Sequence, residues 1–220
     1  ARAFDRYLGR LAAFVERERS FAADASHELR TPLAVIRGAA EVLAEDAALS
    51  AAQRERVARI ERAAEEMGQL IAALLLLARE ETELPPEPCD ARRIAVACIE
   101  RYRTLAASRG TTLQLDAPAT VALMAPPALF AIVIANLVHN AAAHTRGGSI
   151  SVSLDAAALT VRDSGSGIRD EALGRVFERH YRGPDSAGAG IGLFLVKRIC
   201  DRRGWQIALQ SDPLKGTTAT

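Results

Sequence analysis

The sequence predicts two unlike halves: an α-helical hairpin that forms a dimeric four-helix bundle with a second copy, followed by an α/β sandwich with a mixed sheet. Three observations predict this. Over about the first 80 residues glycine is rare, and Ala, Leu, Glu and Arg, all good helix formers, dominate. Apolar residues there recur alternately at every third and fourth position, the period of helices that bury a seam against other helices. The proline-rich stretch Glu83-Leu-Pro-Pro-Glu-Pro-Cys-Asp90 then ends that pattern, and beyond it short alternating strands interleave with helices.

Taken in order, residues 1–19 read as a helical lead-in (Phe4, Leu8, Leu11, Val15) from an upstream region that the chain does not include. Residues 20–82 form the hairpin. Its first helix carries the seam Leu29, Leu33, Ile36, Ala40 and Leu43. A polar turn over 45–51 follows, with Ser50 as N-cap of the second helix, whose seam is Val57, Ile60, Ala64, Met67, Ile71, Leu74 and Ala78. Two helices alone bury too little core, and pairing two hairpins supplies the rest. Periodicity by itself fits a plain coiled-coil spacer equally. Residues 83–89 read as a linker, and 90–220 as the second domain. There Asp90 caps a helix running to about residue 108, strands follow at 112–115 and 120–123, and a helix covers 126–144. A hairpin spans 149–154 and 158–162, a glycine-rich region precedes a helix at 191–203, and strands close the chain at 205–210 and from 217 onward.

The bulk numbers exclude several classes. With 28 Lys+Arg against 27 Asp+Glu the formal charge is +1, so no basic excess argues for nucleic acid and no acidic block for a disordered tail. Apolar residues at 49% and charged residues at 25% suit an ordinary soluble globular protein. The three cysteines Cys89, Cys98 and Cys200 form no CxxC pair, which points to a reducing compartment without a structural metal. The apolar stretch over 71–78 falls far short of the ~20 residues of a membrane-spanning helix.

On the first helix, placing Leu33 at a and Leu29 and Ile36 at d puts His27 at b, Glu28 at c and Thr31 at f, all off the buried stripe. The imidazole therefore faces solvent beside a carboxylate, and a carboxylate on one ring nitrogen raises the nucleophilicity of the other. Pro32 cannot donate to the carbonyl of Glu28 and loosens or bends the helix one turn beyond the histidine, at a cost of ~3 kcal/mol. A lone exposed histidine is more often an ordinary surface residue.

Three further elements suit a nucleotide. Asn136 and Asn140 share one face of an otherwise apolar helix, and their amide oxygens are hard ligands for Mg²⁺ or acceptors at phosphate and ribose. A buried amide ladder explains them equally. Asp163-Ser-Gly-Ser-Gly-Ile168 follows a strand. Its carboxylate can accept from an exocyclic amine, and Gly165 and Gly167 permit a tight turn, although a simple turn has the same pattern. Gly188-Ala-Gly-Ile-Gly192 runs into an apolar helix and leaves free N–H groups and the positive end of a dipole for an anion. Arg179 and Arg182 precede it and could swing onto phosphates.

Together and in this order, these elements resemble the catalytic core of the sensor histidine kinases of bacterial two-component systems. Phe21-Ala-Ala-Asp-Ala-Ser-His-Glu-Leu-Arg-Thr-Pro-Leu33 resembles the family's phosphoacceptor box, and residues 136–145 its asparagine box. Residues 163–168, 177–182 and 188–192 resemble its remaining nucleotide-binding boxes. The resemblance implies a dimerization and histidine-phosphotransfer domain over 20–82 and a catalytic ATP-binding domain over 90–220, of the kind shared with certain chaperones and gyrases. It implies that His27 is the phosphoacceptor, that Glu28 is its acid–base partner, and that Thr31 positions water when a phosphorylated partner is dephosphorylated. Asn140 would hold Mg²⁺, with Asn136 assisting at the phosphates. Asp163 would read adenine, Arg182 would contact phosphate, and Gly188, Gly190 and Gly192 would form the phosphate-side loop. The implied cofactors are ATP and Mg²⁺. The implied partners are a second copy of the chain and a response-regulator receiver domain, and the implied place is the cytoplasmic portion of an inner-membrane-anchored bacterial protein.

Four features depart from the family pattern: His180 in place of a second aromatic, Ala143 in place of a lysine, His144 in place of a tyrosine, and only 183–187 between Arg182 and Gly188. His144 can still stack near the base. These departures keep an alternative open, a weakly nucleotide-binding dimeric scaffold acting mainly as a response-regulator phosphatase. A clamp-type ATPase without histidine chemistry is a third reading, and His27 with Glu28, Thr31 and Pro32 argues against it.

Overall fold

The structure, a computed structural model, describes residues 28–29, 31–46, 48–78, 85–179, 181, 190–213 and 215–220. The expected lead-in over 1–19 lies outside the described residues. The chain divides into two compact units, Ala1–Glu83 and Leu84–Thr220.

In the first unit, helix α1 (31–44, with 28–29 also helical) and helix α2 (Ala51–Ala78) form the hairpin. The turn ends in a reciprocal cap. Gln53 N–H donates to Ser50 Oγ at 3.3 Å, and Ser50 N–H donates to Gln53 Oε1 at 2.8 Å, so two otherwise orphaned donors at the start of α2 are satisfied. The apolar seam divides into two columns. Leu33, Ala40, Val57, Ala64 and Ile71 are buried. Leu29, Ile36, Leu43, Ile60 and Met67 each remain 44–48% exposed. One column closes the hairpin and the other is left facing outward. The side chains of Leu74 and Ala78 lie outside the described residues.

The second unit is an α/β sandwich. Its five-stranded sheet has the order β2 (Thr112–Asp116), β4 (Ser149–Leu154), β5 (Leu159–Asp163), β7 (Gly216–Ala219) and β6 (Leu209–Asp212). β2 and β4 are parallel and the other pairs antiparallel, which makes the sheet mixed. Strand β4 alternates exposed and buried residues, as a sheet with one covered face requires. The cover is a helical layer of α3 (Ala91–Ser108), α4 (Pro127–His144) and α6 (Gly192–Arg203), with α4 between the other two. Ile134, Val138, Ile150, Val152, Leu195, Val196 and Ile199 form the driest part of the core. By length and composition α4 could cross a membrane, but here its apolar residues are core, Ile134, Val138 and Ala142 being fully buried.

Four details differ from expectation. The segment 83–89, expected to be a linker, contains most of strand β1 (Glu87–Asp90), which pairs antiparallel with β3 (Ala122–Ala125). A two-stranded ribbon is all edge, so Pro88 can sit in it without breaking a central ladder, and Cys89 is buried. That partner also sets β3 two residues later than the 120–123 expected. The strand expected at 205–210 starts at Leu209, after a bonded pair between Ala208 and Thr220. A one-turn helix α5 (Asp170–Leu173) was not anticipated.

Candidate nucleotide-binding site

Helix α4 starts where the sequence dictates: Pro126 is extended and Pro127 opens the helix, with φ preset and no N–H to satisfy. Its 3.6-residue period then puts Asn136, Asn140 and His144 on one face, each four residues from the next. Asn136 is 6% exposed; its Nδ2 donates to the carbonyl of Ile132 at 2.8 Å. Its Oδ1 is buried and accepts nothing among the described residues.

The start of α6 meets this amide pair. A Cβ at Gly192 would lie 2.8 Å from Asn136 Oδ1 and 3.8 Å from Asn140 Oδ1, so the approach depends on residue 192 having no side chain. Ile191 precedes the helix without a side-chain cap, leaving the first-turn N–H groups and the helix dipole for an anion. Gly190 is partly exposed just before them.

At the other end of the α4 face, Asp163 closes β5. Its Oδ1 accepts from Gly165 N–H at 2.8 Å and from Thr217 N–H at 3.3 Å. Burial pushes this carboxyl above the usual carboxylate range, against the opposing pull of those two N–H groups and of His144. Gly165 packs against the main chain of His144, where a side chain would overlap the carbonyl oxygen. Gly167 takes φ +67°, and a side chain there would overlap the carbonyl of Asp212. The face from Asn136 to His144 is eight residues, about 12 Å of helix. It has paired amide oxygens and a helix N-terminus at one end and a half-buried carboxylate at the other. That is the arrangement a molecule with phosphates at one end and a hydrogen-bonding base at the other requires.

The structure therefore brings Asn136, Asn140, His144, Asp163, Gly165, Gly167, Gly190 and Gly192 into one unit. Glu28 and Thr31 are exposed on α1 in the other. His27, Arg182 and Gly188 lie outside the described residues, as do His180 and 183–187. Arg179 is exposed. Among the described residues no cluster of three His, Cys, Asp or Glu gathers to hold a metal. The orphaned Asn136 Oδ1, with the oxygen of Asn140 near it, still fits Mg²⁺, which takes few protein ligands and completes its shell with phosphate oxygens and water.

Sequence reasoning missed three contributors. Thr217 reaches Asp163 through its N–H, and Ser211 accepts from Ile168 N–H at 2.7 Å. Arg109 Nη1 donates to the carbonyl of Ala143, satisfying one of the last carbonyls of α4. Each partner is at least 34 residues away in sequence, so no local pattern signals it.

Residues 17–83 match the family model of the His Kinase A (phospho-acceptor) domain. Residues 126–220 match that of the histidine kinase-, DNA gyrase B- and HSP90-like ATPases. The chain is 33% identical over 219 residues to the sensor-like histidine kinase SenX3 of Mycobacterium tuberculosis, covering 92% of this chain and 52% of that protein. It is 33% identical over 214 residues to the sensor protein QseC of Salmonella typhimurium, covering 94% of this chain and 47% of that one. The chain thus spans about half the length of these relatives. In fold it is similar to full-length ShkA, solved in complex with AMPPNP, with a TM-score of 0.64 at 24% identity over 91% of this chain and 44% of that one.

Proposed function

The chain belongs to the sensor histidine kinases, whose catalytic core it carries, and from that premise we propose that it moves the γ-phosphoryl group of ATP onto His27 and then onto an aspartate of a response regulator. The observation that carries this reading is the α4 face, with Asn136 and Asn140 against the start of α6 and His144 beside the loop of Asp163. On this reading Asp163 accepts from the exocyclic amine of adenine, and His144 stacks near the base. Asn136, Asn140 and the N–H groups at Gly190 and Gly192 hold the phosphates, with Arg182 and Gly188 on the same side. Mg²⁺, held by Asn140 and phosphate oxygens, would neutralise charge developing on the phosphates.

In the first step a neutral nitrogen of His27 bonds to the γ-phosphorus as the bond to the bridging oxygen breaks, and ADP leaves with that electron pair. Glu28 takes up the imidazole proton and keeps the ring oriented. In the second step a carboxylate oxygen of the partner's aspartate displaces the histidine nitrogen. Thr31 serves the reverse task, positioning water against the phosphorylated partner. The outward column Leu29, Ile36, Leu43, Ile60 and Met67 supports pairing with a second copy, which would complete a four-helix bundle. We place this chain in the cytoplasmic portion of a membrane-anchored bacterial protein; the length its relatives have beyond it leaves room for an input region.

Intact-mass measurement of the chain after incubation with Mg²⁺-ATP, beside His27→Gln, tests the proposal. The expected result is one added phosphate that is labile in acid, stable in base and absent from His27→Gln. Phosphate appearing equally on His27→Gln would overturn it. No phosphate with ATP still bound would favour the phosphatase scaffold.

A further inference from the structure

The hydroxyl of Ser211 has its full complement of partners, and they converge on one loop. A serine hydroxyl offers one donor and two acceptor positions. Here it accepts from Ile168 N–H at 2.7 Å, lies 3.0 Å from the carbonyl of Gly216, to which it donates, and shares a 2.8 Å hydrogen bond with Thr217 Oγ1. Ser211 and Thr217 are also register partners across β6 and β7. Thr217 in turn donates its N–H to Asp163 Oδ1. Two close approaches reinforce the junction. Gly216, at φ +99°, has no room for a side chain against the carbonyl of Asp163, and Gly167 has none against that of Asp212. The β6–β7 hairpin therefore clamps the 163–168 loop at both ends. The Ser211 side chain bonds to the loop through Ile168 and to the hairpin through Gly216 and Thr217. Both N–H groups on Asp163 fall on Oδ1, so Oδ2 is not taken up by them.

We propose that Ser211 is a positioning residue for base recognition: its hydroxyl fixes the 163–168 loop to the β6–β7 hairpin so that Asp163 holds Oδ1 against the main chain and presents Oδ2 to the base. This rests on the assignment of Asp163 as the group that reads adenine. A side chain that only stabilised the hairpin would affect every nucleotide alike, whereas one that aims Asp163 affects those carrying the exocyclic amine.

The test is equilibrium binding of ATP and of purine riboside triphosphate, which lacks the 6-amino group, to the wild type, Ser211→Ala, Ser211→Thr and Asp163→Asn. Ser211→Ala should weaken ATP about three- to tenfold, the size of one net hydrogen bond, and leave the amine-free nucleotide nearly unchanged. Ser211→Thr, which keeps the hydroxyl, should restore the preference. Unchanged binding in Ser211→Ala, or equal loss of both nucleotides, overturns the proposal. An ATP preference that survives in Asp163→Asn would instead remove the assignment beneath it. If the alanine variant does not fold, Ser211→Cys, close in shape but a weak hydrogen-bonding group, decides by the same comparison.

Discussion

Asp163 shows how one residue couples the fold to the site. Its carboxyl sits above the usual carboxylate range because burial penalises the charge more than the N–H groups of Gly165 and Thr217 and the nearby His144 relieve it. A folded-state value above the unfolded one adds stability at low pH, and this is lost as pH rises through the raised value. At neutral pH the ionised group therefore costs stability. Asp163→Asn removes that cost and keeps an amide oxygen for the same two N–H groups. Its melting temperature at pH 7 should equal or exceed that of the wild type, while ATP binding weakens about ten- to hundredfold. Calorimetry and nucleotide titration check both, and a lower melting temperature with intact ATP binding would contradict the account. On acidification, ATP affinity in the wild type should begin to fall at a higher pH than for an ordinary exposed aspartate, as titrations across mildly acidic buffers would show.

At the scale of elements, local chemistry explains starts and stops while pairing explains registers. Ser50 was legible as a cap because a helix start needs acceptors for its first N–H groups, and Gln53 completes the exchange. Ser50→Ala should lower the stability of the hairpin by about 1 kcal/mol, read from urea unfolding. An unchanged midpoint would mean that the cap is idle. Asp90, expected as a cap, accepts from Arg93 N–H at 3.0 Å, and α3 ends at Ser108 as expected. Strand β1 was not legible, since the prolines of 83–89 argue against it locally and only its partner β3 makes it a strand. On the facing helices of the hairpin, burial and the nearby Glu41 push the Glu61 carboxyl upward, a like-charge contact that helix periodicity does not reveal.

For the whole molecule, the outward seam column matters most. Five large apolar side chains half exposed at heptad spacing are what an incomplete bundle presents, and a second hairpin would cover them. Ile36→Glu would place an unpaired charge in that contact, and the dimer dissociation constant should rise at least about tenfold, measured by sedimentation equilibrium. A dimer unaffected by the change would put the interface elsewhere.

The sequence by itself determined the two-part architecture and the candidate residues, because helix periodicity, proline breaks and glycine-rich turns are local, and because the motifs occur in a recognisable order. Only the tertiary structure decided which seam residues close the hairpin and which stay exposed. It also decided that Gly192 abuts Asn136 and Asn140, and that Ser211 and Thr217 secure the loop of Asp163. These contacts join segments tens of residues apart. They form when the sheet and its helical layer bury their shared core, a cooperative outcome that no local window of sequence encodes.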